Sequence, residues 1–323
     1  MTEISRPALL DPTLTRRPAG SEASDGRNPG PRRAGPRPSA GPSAPTLRVL
    51  TYNVHRCQGT DRRLSPTRIA EVIARCRPDV VALQELDIGR ARTRWIDQAG
   101  LIAHRLGMDV HFHPVLQIDK ELYGDAILTA LPACLVKTGP LPALAMARRL
   151  EPRGALWVAV EVEGVAVQIV NTHLSLIGRE RVRQVAALLG PEWLGRSDCL
   201  GPKILLGDFN AVPRSTAYQA ITHTLADAQR LLAPARRPIP TFPARLPTLR
   251  LDHVFVSQDS VRVTAVEVPR SLLTRVASDH LPLVVDLEIL AERVVDEPSV
   301  IELRAEPTEP APYVARDATA TRG

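Results

Sequence analysis

Six short runs place carboxylates, amides and imidazoles beside apolar segments: Thr51-Tyr52-Asn53-Val54-His55, Leu83-Gln84-Glu85, Asn171-Thr172-His173-Leu174, Gly207-Asp208-Phe209-Asn210, Leu251-Asp252-His253 and Ser278-Asp279-His280. These groups suit one kind of chemistry. Carboxylate oxygens hold a hard divalent cation. A carboxylate or imidazole takes a proton from water, and amides and imidazolium ions neutralise an anionic ester. One such run would be a turn or a cap. Six of them at strand ends can converge on one rim and form a site.

The apolar segments read as the elements that carry these runs. Leu47–Val54 reads as a strand ending in the Asn53 run, and Val80–Leu83 as a fully apolar strand ending in Glu85. Between them Ser65-Pro66 opens a helix by an N-cap hydroxyl and a first-turn proline. Its Ile69, Val72, Ile73 and Cys76 form one stripe, and Pro78 stops it. A helix is expected over Asp97–Leu106 and a strand over Asp109–Val115. Strands follow at Ala126–Leu131, Ala155–Val162 and Val165–Asn171, the last two joined as a hairpin at Glu163-Gly164. A helix at Glu180–Leu189 and strands at Lys203–Leu206, Leu251–Val256, Val261–Val268 and Leu283–Ile289 complete the set. Mixed strands and helices with hairpins predict sheets with helices outside, not strict βαβ alternation.

The set YNVH, LQE, NTHL, GDFN, LDH and SDH, in that order, resembles the endonuclease/exonuclease/phosphatase superfamily, the metal-dependent phosphoesterases related to deoxyribonuclease I. The motifs run from Asn53 to His280; GDFN with SDH is the specific pair. The resemblance implies an α/β (α+β) fold of two mixed β-sheets packed as a sandwich flanked by helices, with the site at one end. It implies Mg²⁺ or Mn²⁺ held by Glu85, with Asp279, Asn53 and Asp208 completing the shell directly or through water. By the same resemblance Asp208 orients or deprotonates the attacking water, and Asn210 holds a phosphate oxygen. His280 contacts the phosphate or transfers a proton, with Asp252 fixing its tautomer, and His173 faces the phosphate and leaving group. Arg153, in Glu151-Pro152-Arg153-Gly154-Ala155, resembles the arginine that clamps phosphate. Tyr123, in Tyr123-Gly124-Asp125-Ala126-Ile127-Leu128, resembles the family's tyrosine-bearing segment. Many relatives carry asparagine where this chain has Asp125, and the expectation is that Asp125 pairs with His173. The segment Thr241–Pro247 resembles a loop of small bacterial members, some of them linked to phospholipid-synthesis genes. Arg245 or Arg250 could there read a second phosphate or close a loop salt bridge.

The rest of the chain narrows the classes. Four scattered cysteines, Cys57, Cys76, Cys134 and Cys199, exclude a disulfide scaffold and a local zinc motif, and none has a histidine at motif spacing. No apolar run is long enough for a membrane-spanning helix, and no secretory leader is visible. A cytoplasmic protein is expected, with a monomer favoured. The net charge of +6 suits a phosphate-bearing partner, yet only three of the 41 basic residues are lysine, an arginine bias that a GC-rich genome would also produce. Residues 1–45, with nine of the 30 prolines, read as a disordered tail, and 293–323 as a second one holding at most a marginal strand near Val300–Leu303. Residues 46–292 read as one folded domain. His111 and His113 face the same way on one strand and read as structural; His55 and His253 read as neighbours of site residues, and Trp157 as core. The resulting expectation is a divalent-metal-dependent phosphodiesterase of nuclease type. The alternatives are a phospholipid head-group phosphodiesterase, a small-molecule phosphatase, and an inactive nucleic-acid-binding module on the same scaffold.

Overall fold

The central strands of this chain bury both faces, so their runs are apolar throughout: Val80, Val81, Ala82 and Leu83 are all fully buried. The computed structural model describes residues 44–144, 151–234 and 237–290. The expected tails, the Val300–Leu303 strand included, lie outside the described residues, save for the first residues leading into the domain.

Twelve strands form two six-stranded sheets. The first holds β1 (Thr46–Asn53), β2 (Val80–Ile88), β3 (Asp109–Ile118), β4 (Glu121–Thr129), β11 (Val261–Glu267) and β12 (Leu283–Ile289), in the order β11-β12-β1-β2-β4-β3. The second holds β5 (Ala133–Pro140), β6 (Gly154–Val162), β7 (Val165–His173), β8 (Lys203–Asp208), β9 (Ala226–Asp227) and β10 (Asp252–Val256), in the order β5-β6-β7-β8-β10-β9. Each sheet is mixed: β1 runs parallel to β2 and β7 to β8, and the other pairings are antiparallel. The inner faces meet in one core that takes Leu47 and Val49 from β1, Val158 from β6, Ile169 from β7, Leu206 from β8 and Val285 from β12. Two outer clusters cover the other faces. Helices α1 (Pro66–Cys76) and α2 (Gln98–Leu106) pack on the first sheet, and α3 (Gly178–Leu189) and α4 (Thr216–Thr222) on the second. Short helices α5 (Ala228–Leu232) and α6 (Leu272–Ala277) complete the described α-helices. The expected sandwich of two mixed sheets flanked by helices is the fold found.

Local chemistry explains the boundaries. Ser65 accepts from the Arg68 N–H, Pro66 opens α1, and the chain leaves it through a left-handed Arg77. Ile69, Val72, Ile73 and Cys76 are its buried stripe, as the spacing predicts. Asp97 is the N-cap of α2 rather than its first residue, its carboxylate accepting from the Gly100 N–H. The unforeseen strand β5 carries Lys137, Gly139 and a terminal Pro140 because it is a sheet edge, where a missing donor costs no ladder bond.

Two registers aim the site. Parallel pairing sets Asn53 beside Gln84, and His173 beside Asp208, while β10 enters antiparallel with Asp252 opposite Asp208. The ends of β1, β2, β7 and β8 and the beginnings of β10 and β12 therefore share one end of the sandwich.

Candidate active site

Between Leu83 and Leu86 the β2–β4 register slips, so two residues of β2 oppose one of β4. Such a bulge re-aims a side chain. Glu85 takes the extra position at φ +62°, a conformation uncommon for glutamate, and its backbone N–H donates to Asp125 Oδ1 at 3.3 Å. Next to it Gly124, the partner of Leu86, is obligatory: a Cβ there would stand 1.9 Å from the His113 carbonyl oxygen. Gly207 has the same duty on β8, at φ +143°, where a Cβ would stand 1.9 Å from the Thr172 oxygen. It lets β8 lie close enough to β7 for Asp208 to reach the centre.

Asn53 joins the sheets. Its Nδ2 donates to Glu85 Oε1 and to Asp208 Oδ2, both at 3.0 Å, while its Oδ1 accepts from the His55 N–H. The amide oxygen expected to close a metal shell is thus engaged by backbone, and the nitrogen holds two carboxylates of opposite sheets side by side. Beneath it lies a buried polar bridge that the motifs did not reveal. Gln84 donates to Thr51 Oγ1 and to Asn171 Oδ1, and Asn171 donates to the carbonyls of Leu83 and Ala126. It fixes β7 against β2 and β4.

Asp208 is buried and stands between two histidines, its Oδ2 3.5 Å from His173 Nε2 and 3.6 Å from His280 Nε2. Burial raises its carboxyl to about 6, against the opposing pull of His280. His280 Nδ1 donates to Asp252 Oδ2 at 2.9 Å, and the same oxygen accepts from Thr241 Oγ1. Burial alone would lower His280, but Asp252 and then Asp208 outweigh it and raise the ring to about 10. It is an imidazolium. Ser278 orients this segment by donating to the Asn53 carbonyl, and the Phe242 ring packs on the His280 imidazole, centroids 4.8 Å apart. Both supporting groups of the Thr241–Phe242 pair lie in a loop whose chemistry is invisible until it folds back over His280.

The other histidine has the opposite surroundings. Arg153 Nη1 meets His173 Nδ1 at 2.9 Å. A guanidinium only donates, so Nδ1 accepts and the ring hydrogen sits on Nε2, toward Asp208. Burial first, then Arg153 and His280, hold His173 well below the ordinary imidazole range, and it is neutral. Asn210, in a left-handed conformation at φ +46°, donates from Nδ2 to the Leu174 carbonyl; the same Nδ2 lies 3.1 Å from His173 Nε2, so both ring nitrogens face donors and the neutral ring, protonated on Nε2, accepts only from Arg153.

One expectation is corrected here. Asp125 does not pair with His173, because Arg153 occupies Nδ1. Its carboxyl accepts from the Glu85 N–H instead and is raised to about 7, by burial first and also by Glu85 and Asp208, with Arg153 pulling the other way. Arg245 is exposed and donates from Nε and Nη2 to the Thr60 hydroxyl and carbonyl, tying two loops together. Of the two readings given for Arg250 the salt bridge is the one found, a buried ion pair with Asp227 beneath the Tyr218 ring. Tyr123 is buried, with its hydroxyl donating to Glu151 Oε2 at 3.1 Å and Arg92 over its ring. Asp279 sits at the mouth, its carboxylate 39 % exposed and 3.9 Å from His55 Nδ1. His253 lies under the site among Phe209, Tyr218 and Phe255, donating from Nε2 to the Ala211 carbonyl.

The donor set suits a hard divalent cation. Asp208, Asp252 and His280 each offer an atom within 4.8 Å of the other two, a candidate group among the described residues. The Asp252 Oδ1 is buried with no hydrogen-bond partner, and Glu85 and Asp279 add oxygens around the same mouth. Carboxylates crowded in low dielectric need counter-charge. His280 has its Nδ1 engaged by Asp252, so the carboxylate oxygens are the better ligands.

A two-sheet sandwich with an acid, amide and histidine cluster at one end is consistent with a metal-dependent phosphoesterase scaffold. The chain belongs to the endonuclease/exonuclease/phosphatase family, whose sequence pattern matches residues 50–280. It is 25% identical over 262 residues to protein YbhP of Escherichia coli K12, covering 76% of this chain and 97% of that one. Among solved structures it is similar to an endonuclease/exonuclease/phosphatase from Beutenbergia cavernae, at 25% identity and TM-score 0.57, covering 76% of this chain and 72% of that one. A mannosyl-6-phosphatase of Bacteroides thetaiotaomicron shares the fold at 23% identity and TM-score 0.59, with 75% of this chain and 99% of that one covered.

Proposed function

We propose that this protein is a divalent-metal-dependent hydrolase of phosphoric esters, acting on phosphodiesters. The observation that carries the reading is the placement of Asp208 between a charged and a neutral histidine, 3.6 and 3.5 Å away, at the point where both sheets end. Glu85 and Asp279, with Asp208 beside them, would hold Mg²⁺ or Mn²⁺, which when bound supplies charge neutralisation on the phosphate oxygens.

The chain's own groups divide the remaining work. The Asp208 carboxylate orients a water and takes its proton as the water oxygen bonds to phosphorus. Asp252 holds the His280 ring so that its Nε2–H points into the site, where it neutralises the phosphate and gives a proton to the departing alcohol oxygen as the P–O bond breaks. Arg153 fixes His173 in the tautomer that donates from Nε2, and Asn210 offers an amide N–H to a phosphate oxygen. The Tyr123–Glu151 pair holds the Arg153 segment beside them.

The nuclease-type expectation rests on the positive charge of the chain, which suits any anionic ester equally. The purified chain, with and without Mg²⁺ or Mn²⁺, would be assayed on bis-p-nitrophenyl phosphate, p-nitrophenyl phosphate, plasmid DNA, RNA oligomers and phospholipids, with Asp208→Ala as control. Metal-dependent turnover that falls by about a thousandfold in the control supports the reading. Equal turnover in the control, or none on any substrate by folded, metal-loaded protein, overturns it.

A further inference from the structure

Among the described residues the four most exposed large apolar side chains are Leu272 at 84 %, Leu246 at 73 %, Trp95 at 71 % and Leu176 at 67 %. Single exposed leucines are ordinary. Their location is not. Trp95 lies after β2, Leu176 after β7, Leu246 before β10 and Leu272 between β11 and β12. The pairings Asn53↔Gln84, His173↔Asp208, Asp252↔Asp208 and Glu267↔Val284 put all four connections at the end of the sandwich that carries Asp208 and His280. Leu200, next in exposure at 63 %, precedes β8 at the opposite end.

Each of these loops also carries an exposed arginine: Arg94 beside Trp95, Arg179 near Leu176, Arg245 beside Leu246, and Arg270 and Arg275 flanking Leu272. Residues 89–97, 174–180, 241–251 and 268–280 hold only three carboxylates: Asp97 caps α2, Glu180 is buried on Ser175, and the partly exposed Asp279 belongs to the site mouth. An apolar tip with a cation beside it is the pattern of a side chain that enters the boundary of an anionic bilayer while its neighbour pairs with lipid phosphates. A single-stranded nucleic acid would be met by aromatic platforms, and three of these four tips are aliphatic. A protein partner would favour Trp, Tyr and Arg anchors in pockets, with leucine under-represented, rather than leucines standing on separate loops.

We propose that these four loops seat the protein on an anionic membrane surface, and that the phosphate ester entering the site is that of a lipid head group. The second half rests on the hydrolase reading above; the docking does not. The strand ends that present His173, Arg153 and Asn210 lie at the base of the same loops, so a docked bilayer offers its head-group phosphates to them. In the reaction water oxygen joins phosphorus, the ester P–O bond breaks, and the alcohol leaves with a proton.

Trp95 reports on the docking directly, because Trp157 and Trp193 are buried at 2 % and 3 % exposure. The full chain would be titrated with vesicles of equal phosphatidylglycerol and phosphatidylcholine, and with phosphatidylcholine alone. A saturable blue shift of emission with the anionic vesicles, weakened by salt, is expected. The variant L176S/L246S/L272S, folded by circular dichroism, should lose vesicle affinity by about tenfold or more. Its hydrolysis of soluble bis-p-nitrophenyl phosphate should stay unchanged, while turnover of phosphatidylglycerol in vesicles falls with binding. Emission indifferent to anionic vesicles overturns the proposal. So does a shift produced by DNA or RNA oligomers but not vesicles, or by protein concentration alone, which would mark a nucleic-acid face or a contact between copies. Wild-type protein inert on bis-p-nitrophenyl phosphate that still docks through Trp95 would sink the hydrolase reading and leave the membrane surface standing.

Discussion

His280 and His173 flank one carboxylate at nearly equal distance and are both buried, yet they hold opposite charge. His280 has Asp252 on its far nitrogen and becomes an imidazolium at about 10; His173 has Arg153 there and stays neutral. His253, equally buried but set among aromatic rings with a backbone acceptor, is lowered to about 3 by burial and then by Arg250. Desolvation acts against charge in all three, and the group on the second ring nitrogen decides which one overcomes it. Asp208 thus has a charged ring on one side and a neutral ring on the other, both from the same residue type.

The contrast can be broken at each partner. The largest effect is expected from His280→Gln, a fall in kcat of about a thousandfold, and Asp252→Asn should lose about a hundredfold. The double variant should be scarcely worse than His280→Gln, since both act through one ring; additive losses would separate them. Next comes Arg153→Ala, with kcat lower by about tenfold to a hundredfold. There the removed cation should let the His173 pKa rise, which histidine NMR titration would read; an unmoved His173 would mean that burial alone sets its state. Asp125→Asn should change kcat by less than about threefold, because an amide oxygen can still accept from the Glu85 N–H. A large loss would restore a direct role for the Asp125 charge. The smallest effect concerns stability. His253 is neutral when folded and titrates at its ordinary value when unfolded, so it contributes stability above about 6.5 that is lost as pH falls toward 3. Near pH 5 this amounts to about 1.4 kcal/mol per pH unit at most. His253→Gln should flatten that part of the Tm–pH curve, and an unchanged slope would show that other groups govern it.

Much of the site's membership was legible because strand-end motifs are contiguous. Asp208, Asn210, Asp252, Asp279 and His280 each follow or precede an apolar run, and parallel or antiparallel pairing then brings them together. The helix α1 was equally legible, since its N-cap, stripe and stop are local. Pairings across the sandwich were not. Nothing in the spacing says that Arg153 rather than Asp125 reaches His173, that Asn53 turns its nitrogen and not its oxygen to the carboxylates, or that Arg250 is spent on Asp227. Edge strand β5 escaped because edges do not need apolar alternation.

The sequence by itself determined which residue types could perform phosphoester chemistry and the strands that end in them, because side-chain periodicity and turn chemistry act over a few residues. It also carried the family pattern from residue 50 to 280. Only the tertiary structure decided charge states, which depend on partners 20 to 30 residues away, as in Arg153 with His173 and Asp252 with His280. The exposed rim belongs to the same class: Trp95, Leu176, Leu246 and Leu272 are isolated apolar residues in the chain, and they share one end because strand direction, a property of the sheets alone, sets where each loop emerges.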